Sequence, residues 1–186
     1  MRTIVLIRHV ETAMAGRFCG QSNPEPNLSG ERQIDSIVQK VESLGIERIY
    51  SCDLRRAAQT ATAISQRIGL DVEFRPGLRE IHFGLWEGLS WNEIEQRFPA
   101  EASQWVNDFP LCTAPGGEMY ANFAARVRRE FRSLLRETGN QTAAVVTHRG
   151  VLKYALREYF GVSDANAWEK TRFYGAVIVA TRSAGK

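Results

Sequence analysis

Two histidines follow apolar runs, at the positions where an α/β protein places its chemistry. His9 follows Ile4-Val5-Leu6-Ile7-Arg8, and His148 follows Ala143-Ala144-Val145-Val146-Thr147. Short β-branched runs bounded by polar residues are typical of buried parallel strands, and ligands bind just beyond the carboxyl ends of such strands. The chain has only three histidines, so this placement of two of them predicts a shared site.

Arginines and one acid follow the same set of predicted strand ends. Arg8 ends the first strand, Arg56 opens a helix after the strand at 47–51, and Glu80 follows the strand at 71–74. Fixed positive charge beside a helix N-terminus favours an anion, and arginine suits phosphate and carboxylate. An acid there does not help to bind an anion, but it can protonate a leaving group if its pKa is raised.

The elements that must position these residues alternate along the chain. Strand signals recur at residues 3–8, 47–51, 71–74, 142–147 and 173–181. Four apolar helical stripes lie between them and end near Gly45, Gly69, Gly139 and Gly161. The alternation predicts an α/β fold, a three-layer α/β/α sandwich with a mostly parallel central sheet. The last strand follows residues 168–172 closely and is expected to run antiparallel.

Residues 82–116 interrupt this alternation. The segment holds Trp86, Trp91 and Trp105 and ends in a Pro- and Gly-containing stretch. It is too long for a turn, and such insertions are typical of a lid or a pocket wall. Trp86 and Trp105 are therefore candidates for a substrate pocket, with a place in the core as the alternative.

Composition sets the broad class. The chain has 186 residues, 44% hydrophobic and 24% charged, with a net charge of +3, which is typical of one soluble globular domain over residues 1–186. No run is long enough to span a bilayer and no signal peptide is visible, so a cytoplasmic protein is expected. Three widely spaced cysteines indicate reduced thiols. Neither a nucleic-acid surface nor a metal site is predicted, and a homodimer is left open.

Four motifs resemble those of the histidine phosphatase superfamily, in the branch that contains the cofactor-dependent phosphoglycerate mutases. They are Leu6-Ile7-Arg8-His9-Val10-Glu11-Thr12, Ser51-x-x-Leu54-x-Arg56-Ala57-x-Gln59-Thr60-Ala61, Leu78-x-Glu80-x-x-Phe83-Gly84-x-Trp86-Glu87-Gly88 and Val146-Thr147-His148-x-Gly150. Each motif is weak alone, but all of them in the family's order, between residues 4 and 150, are highly specific. The resemblance implies a phosphoglycerate mutase-like fold and no cofactor.

The resemblance also implies a role for each matched residue. His9 is the nucleophile that becomes a phosphohistidine, while Arg8, Arg56 and His148 hold the phosphoryl oxygens. Glu80 protonates the leaving oxygen and then activates the hydrolytic water. A neutral imidazole is a competent nucleophile near pH 7, and a covalent intermediate divides one difficult displacement into two easier ones.

The residues themselves leave alternatives to two of these assignments. Arg55 is the alternative to Arg56 as the phosphate ligand. Glu11 and Glu87 compete with Glu80 for the role of the acid. Glu11 is expected instead to anchor a backbone group or an arginine, and Glu87 to support the loop that carries it.

The chain departs from the family's pattern at two positions. Val10 replaces the glycine that usually follows the nucleophile, so the backbone there is expected at negative φ. Ala15 stands where the family commonly has an asparagine that helps to bind the phosphoryl group. Arg17 is a candidate for the missing donor and for the substrate pocket.

The substrate is predicted from a further resemblance. Phe83–Gly88, Trp105-x-x-Asp108 and Pro115–Glu118 are similar to segments of the α-ribazole phosphatases of cobalamin biosynthesis. The predicted reaction is therefore the hydrolysis of α-ribazole 5′-phosphate, a small-molecule phosphate ester. A broad-specificity small-molecule or sugar phosphatase is the alternative. A phosphoglycerate mutase and a non-catalytic phosphate-binding module are less favoured, because the chain is short and both nucleophile and acid are present.

Overall fold

The computed structural model describes residues 2–182, which form a single sheet with helices packed around it. The strands are β1 (Arg2–Arg8), β2 (Arg48–Ser51), β3 (Val72–Phe74), β4 (Ala143–Thr147) and β5 (Val177–Arg182). The α-helices are α1 (Leu28–Glu42), α2 (Arg55–Ile68), α3 (Trp91–Arg97), α4 (Pro99–Asp108), α5 (Tyr120–Thr138), α6 (Arg149–Phe160) and α7 (Asp164–Thr171). Short 3-10 helices occupy Pro76–Leu78 and Gly84–Trp86. No helix of this part of the chain is long and apolar enough to cross a membrane.

The sheet order β3-β2-β4-β1-β5 brings the predicted site together. Strands β1, β2, β3 and β4 run parallel, and β5 pairs antiparallel with β1, as predicted. Arg8 pairs with Thr147, so His9 and His148 leave adjacent strands at the same edge. Every residue of β4 is fully buried, which requires cover on both faces of the sheet and confirms the predicted α/β layering.

Glycines end two of the central helices. Gly69 and Gly161 cap α2 and α6 at φ values of +72° and +66°, a conformation that costs glycine little.

The last strand begins later than predicted. Residues 173–176 form a turn instead of the start of β5, because Gly175 adopts a φ of +68°. Helix α7, which the apolar stripes do not predict, precedes this turn and begins at the side-chain cap of Ser163.

The insertion at 82–116 has a small core of its own. The buried residues Trp86, Ile94, Ala102 and Ala114 form a cluster separate from the main core around the sheet. The Trp86 side chain is fully buried, and its ring centroid lies 5.2 Å from that of Trp105. The expectation that Trp86 lines a substrate pocket is therefore wrong, since its large apolar ring is used to fold the insertion.

Candidate active site

His9 presents one ring nitrogen as a nucleophile. Its Nδ1 lies 2.7 Å from the carbonyl oxygen of Val10, which can only accept, so Nδ1 carries the proton and Nε2 has the lone pair. Burial lowers the pKa of His9 well below 6.5, and the charges of Arg56 and Arg8 add to this effect. The imidazole is therefore neutral at pH 7. Val10 itself is fully buried and keeps a negative φ, as predicted.

Arg56 contacts this nitrogen from the first turn of α2. Its Nε donates to His9 Nε2 over 3.2 Å, and its two terminal nitrogens donate to the carbonyl oxygens of Ser22 and Gly20, each over 2.7 Å. The side chain is buried. Arg55 points to the surface and pairs with Glu25, so the structure brings Arg56, and not its neighbour, to His9.

Arg8 approaches from the end of β1. Its Nη1 donates to the carbonyl oxygens of Thr171, over 2.9 Å, and Arg172, and its guanidinium lies 4.0 Å from the ring of Tyr174. Burial lowers the pKa of Arg8 below its ordinary value. Within residues 2–182 the buried Nε has no hydrogen-bond partner, so one charged donor is left for a ligand.

His148 lies beside His9 and also has a free nitrogen. The two ring centroids are 5.0 Å apart. His148 Nε2 lies 3.0 Å from the Cys52 thiol, whereas that thiol is 3.8 Å from Asp53. Burial raises the pKa of Cys52 to about 12, so the thiol keeps its proton, and we assign it as a donor to the closer acceptor, Nε2.

The thiol therefore determines which nitrogen of His148 is a donor. Burial lowers the pKa of His148 well below 6.5, so the ring is neutral and has a single proton. With Nε2 accepting from Cys52, that proton resides on Nδ1, a buried atom with no partner among the described residues. The sequence alone predicts only that Cys52 is a reduced thiol. Its position just after β2, next to β4 in the sheet, is the one signal that linked it to His148.

Glu80 is held by two backbone N–H groups. Its Oε2 accepts from the N–H of Gly150 over 2.9 Å, and its Oε1 accepts from the N–H of Ile81 over 3.0 Å. Arg126 fixes the adjoining backbone by donating to the carbonyl oxygen of Arg79 over 2.8 Å. Glu80 faces the same cavity as the two histidines.

The competing acids have other contacts. Glu87 accepts from the backbone N–H groups of Gln21 and Ser22, over 2.8 and 2.7 Å, and so ties the loop after β1 to the insertion. Glu11 accepts from the side chain of Asn27 over 3.0 Å, which fixes the start of α1. Neither lines the cavity, and Glu11 contacts no arginine side chain in the described range.

A cavity of about 1410 Å³ opens above these groups. Trp105 and Phe109, with ring centroids 4.6 Å apart, form an apolar wall that continues to Tyr120. Arg17 also borders the cavity, but its guanidinium donates to the carbonyl oxygen of Gly88 and pairs with Glu93. Its contacts are with the insertion and not with the residues around His9.

The arrangement suits a tetrahedral anion. We name Arg8, Arg56 and His148 the phosphoryl clamp. A buried donor without an acceptor costs about 1–3 kcal/mol, and the clamp holds two such donors, Arg8 Nε and His148 Nδ1. An anion bound here supplies the missing acceptors and lies next to a neutral nucleophile.

Two known proteins resemble the chain in sequence over most of its length. The chain is 27% identical over 170 residues to phosphoserine phosphatase 1 of Hydrogenobacter thermophilus, covering 90% of this chain and 81% of that protein. It is 33% identical over 157 residues to a bifunctional protein of Mycobacterium tuberculosis, covering 83% of this chain but only 43% of the relative.

Solved structures resemble the chain over most of its length. A mycobacterial glucosyl-3-phosphoglycerate phosphatase matches with a TM-score of 0.77 and 27% identity, over 91% of this chain and 84% of that one. An α-ribazole phosphatase from Shigella flexneri matches with a TM-score of 0.82 over 99% and 98% of the two chains; at 24% identity it shows a common fold alone. The model of the histidine phosphatase superfamily (branch 1) matches residues 4–186, and the chain therefore belongs to that family.

Proposed function

We propose that this protein hydrolyses phosphate monoesters through a phosphohistidine intermediate on His9. His9 Nε2 attacks phosphorus, the ester P–O bond breaks, and Glu80, as the general acid, delivers a proton to the leaving oxygen to release the alcohol. Water then attacks phosphorus while Glu80 takes a proton from it, and the P–N bond breaks to return neutral His9 and inorganic phosphate. No step requires a metal ion.

The phosphoryl clamp supplies the electrostatic part of this mechanism. Arg8, Arg56 and His148 offset the charge that develops on the phosphoryl oxygens, in a buried site where such interactions are strong. Fixed donors need little reorganisation, and each is worth roughly 3 kcal/mol of the barrier. The observation that carries the proposal is the state of His9, whose Nδ1–H is held by the Val10 carbonyl oxygen while Nε2 faces Arg56.

Phosphate release in the presence of EDTA tests the nucleophile. We expect His9→Ala to abolish turnover of p-nitrophenyl phosphate. We also expect it to remove the acid-labile, alkali-stable phosphoenzyme that forms when the wild type is mixed with ³²P-labelled ester. His82→Ala is the matched control, because the third histidine does not line the cavity. Wild-type turnover by His9→Ala is the result that would exclude the mechanism.

The physiological ester is a finer part of the proposal. The wall of Trp105, Phe109 and Tyr120 supports α-ribazole 5′-phosphate, since it offers aromatic rings to a benzimidazole. The size of the cavity, about 1410 Å³, supports the alternative of a broad small-molecule phosphatase. A panel of α-ribazole 5′-phosphate, sugar phosphates and 3-phosphoglycerate separates the two. A preference of several orders of magnitude supports the first, and even rates support the second.

A further inference from the structure

Among the described residues, one cavity-lining cation has no hydrogen-bond acceptor or ion-pair partner. Six arginines border the cavity: Arg8, Arg17, Arg56, Arg149, Arg157 and Arg172. Five of them donate to carbonyl oxygens or pair with carboxylates. Arg149 forms neither kind of contact with any residue from 2 to 182, and its Nε is buried without a partner.

The surroundings of Arg149 hold its guanidinium against an aromatic ring. Its guanidinium lies 3.5 Å above the ring of Trp168, a stacking contact that leaves the in-plane donors free. The two carboxylates whose charges act on Arg149 have other partners, since Glu80 accepts from Gly150 and Glu169 pairs with Arg172. Burial lowers the pKa of Arg149, and neighbouring Arg172 adds to this.

Arg149 is also distinct from the phosphoryl clamp, although it follows His148 directly in the chain. Arg8 and Arg56 each donate to carbonyl oxygens that fix them around His9. Arg149 instead projects from the first turn of α6 towards Trp168 of α7, on the wall that Lys153 also borders. The donors of Arg149 are therefore additional to those of the clamp, although its charge acts on Arg8.

We infer that Arg149, stacked on Trp168, forms a second anion subsite, and that the preferred substrates are phosphate monoesters carrying a second anionic group. The inference rests on the proposed hydrolysis at His9. A carboxylate and a second phosphate both match the planar donor pattern of a guanidinium. α-Ribazole 5′-phosphate has no second anionic group. The subsite therefore predicts that it is a poor substrate in the panel, whereas the α-ribazole proposal predicts that it is the preferred one.

The test uses three esters that share a three-carbon chain: propyl phosphate, 3-phosphooxypropanoate and propane-1,3-diyl bisphosphate. They end in a methyl group, a carboxylate and a phosphate. Dividing kcat/KM for each of the two anionic esters by kcat/KM for propyl phosphate gives two ratios, which measure the preference for a carboxylate and for a second phosphate. We expect at least one ratio to exceed 10 in the wild type, and Arg149→Met to lower it about 10- to 100-fold, as for a charged hydrogen bond. Methionine keeps an unbranched side chain over Trp168.

Arg157→Met is the matched control, because it removes one cavity-lining charge that Asp164 already neutralises. Its ratio is expected to stay within about threefold of wild type. A wild-type ratio near 1, or equal loss in both variants, overturns the inference. The dissociation constants of the same esters from the His9→Ala protein measure the same preference without turnover. If the wild type hydrolyses none of the esters, that result refutes only the proposed function, because the binding preference can still be tested.

Discussion

Gly150→Ala tests the acid role of Glu80 without changing an ionisable group. Gly150 donates its N–H to Glu80 Oε2 over 2.9 Å. A Cβ at this position would lie 3.1 Å from Glu80 Cδ and closer still to Oε1, whereas ordinary contact begins at 3.4 Å. The carboxyl group must therefore withdraw. The helix itself tolerates the change, because alanine is the better helix former by about 1 kcal/mol.

The size of the effect follows from this displacement. The carboxyl group has to move by about 1 Å, and a misplacement of that size costs on the order of 10²-fold in rate. We therefore expect kcat/KM for an alkyl phosphate to fall about 10²-fold, within the range for general acid–base catalysis. For p-nitrophenyl phosphate the loss should stay below about fivefold, because that leaving group needs little protonation.

The assay is phosphate release from both esters by wild type, Gly150→Ala, Glu80→Gln and the double variant. If Gly150→Ala acts through Glu80, the double variant loses no more than Glu80→Gln alone, since the two changes share one mechanism. Thermal unfolding checks that the fold is kept. Equal losses on the two esters, or additive losses in the double variant, would refute the reasoning.

Three further outcomes are expected. Cys52→Ala should lower kcat and give His148 a mixed tautomer in ¹⁵N NMR spectra, whereas Cys52→Ser, which keeps a donor, should restore both; an unchanged spectrum in Cys52→Ala contradicts the assigned tautomer. Burial lowers the pKa of His9 and of His148 well below 6.5, so only the unfolded chain gains these protons as the pH drops below 6.5. The contribution of the two neutral histidines to the free energy of unfolding is fully present above that pH and falls by up to about 2.7 kcal/mol per pH unit below it. When the free energy from urea unfolding is plotted against pH, the double His→Asn variant should show a shallower slope than the wild type. Trp86→Ala should destabilise the protein by about 3–5 kcal/mol through loss of the insertion core, whereas Trp105→Ala should mainly raise KM; the reverse pattern in unfolding and kinetic assays would contradict the placement of the two rings.

The sequence alone predicted the features that depend on local pattern. Buried β-branched runs identify strands, and glycines such as Gly69 and Gly161 end helices because they adopt positive φ at low cost. The motif spacing also predicted Arg56 over Arg55, and the structure places only Arg56 beside His9. These inferences succeeded because each concerns the residues of one segment.

Tertiary structure decided the features that depend on which segments meet. The sheet order places β2 next to β4, and only this brings the Cys52 thiol to His148 and fixes the donor nitrogen of that ring. The burial of Trp86 and the unpaired guanidinium of Arg149 likewise follow from packing between the insertion, α6 and α7. Hydrophobic periodicity reports that a side chain is buried but not what it is buried against. The sequence therefore predicted candidate catalytic residues, while their protonation states and free donors required the fold.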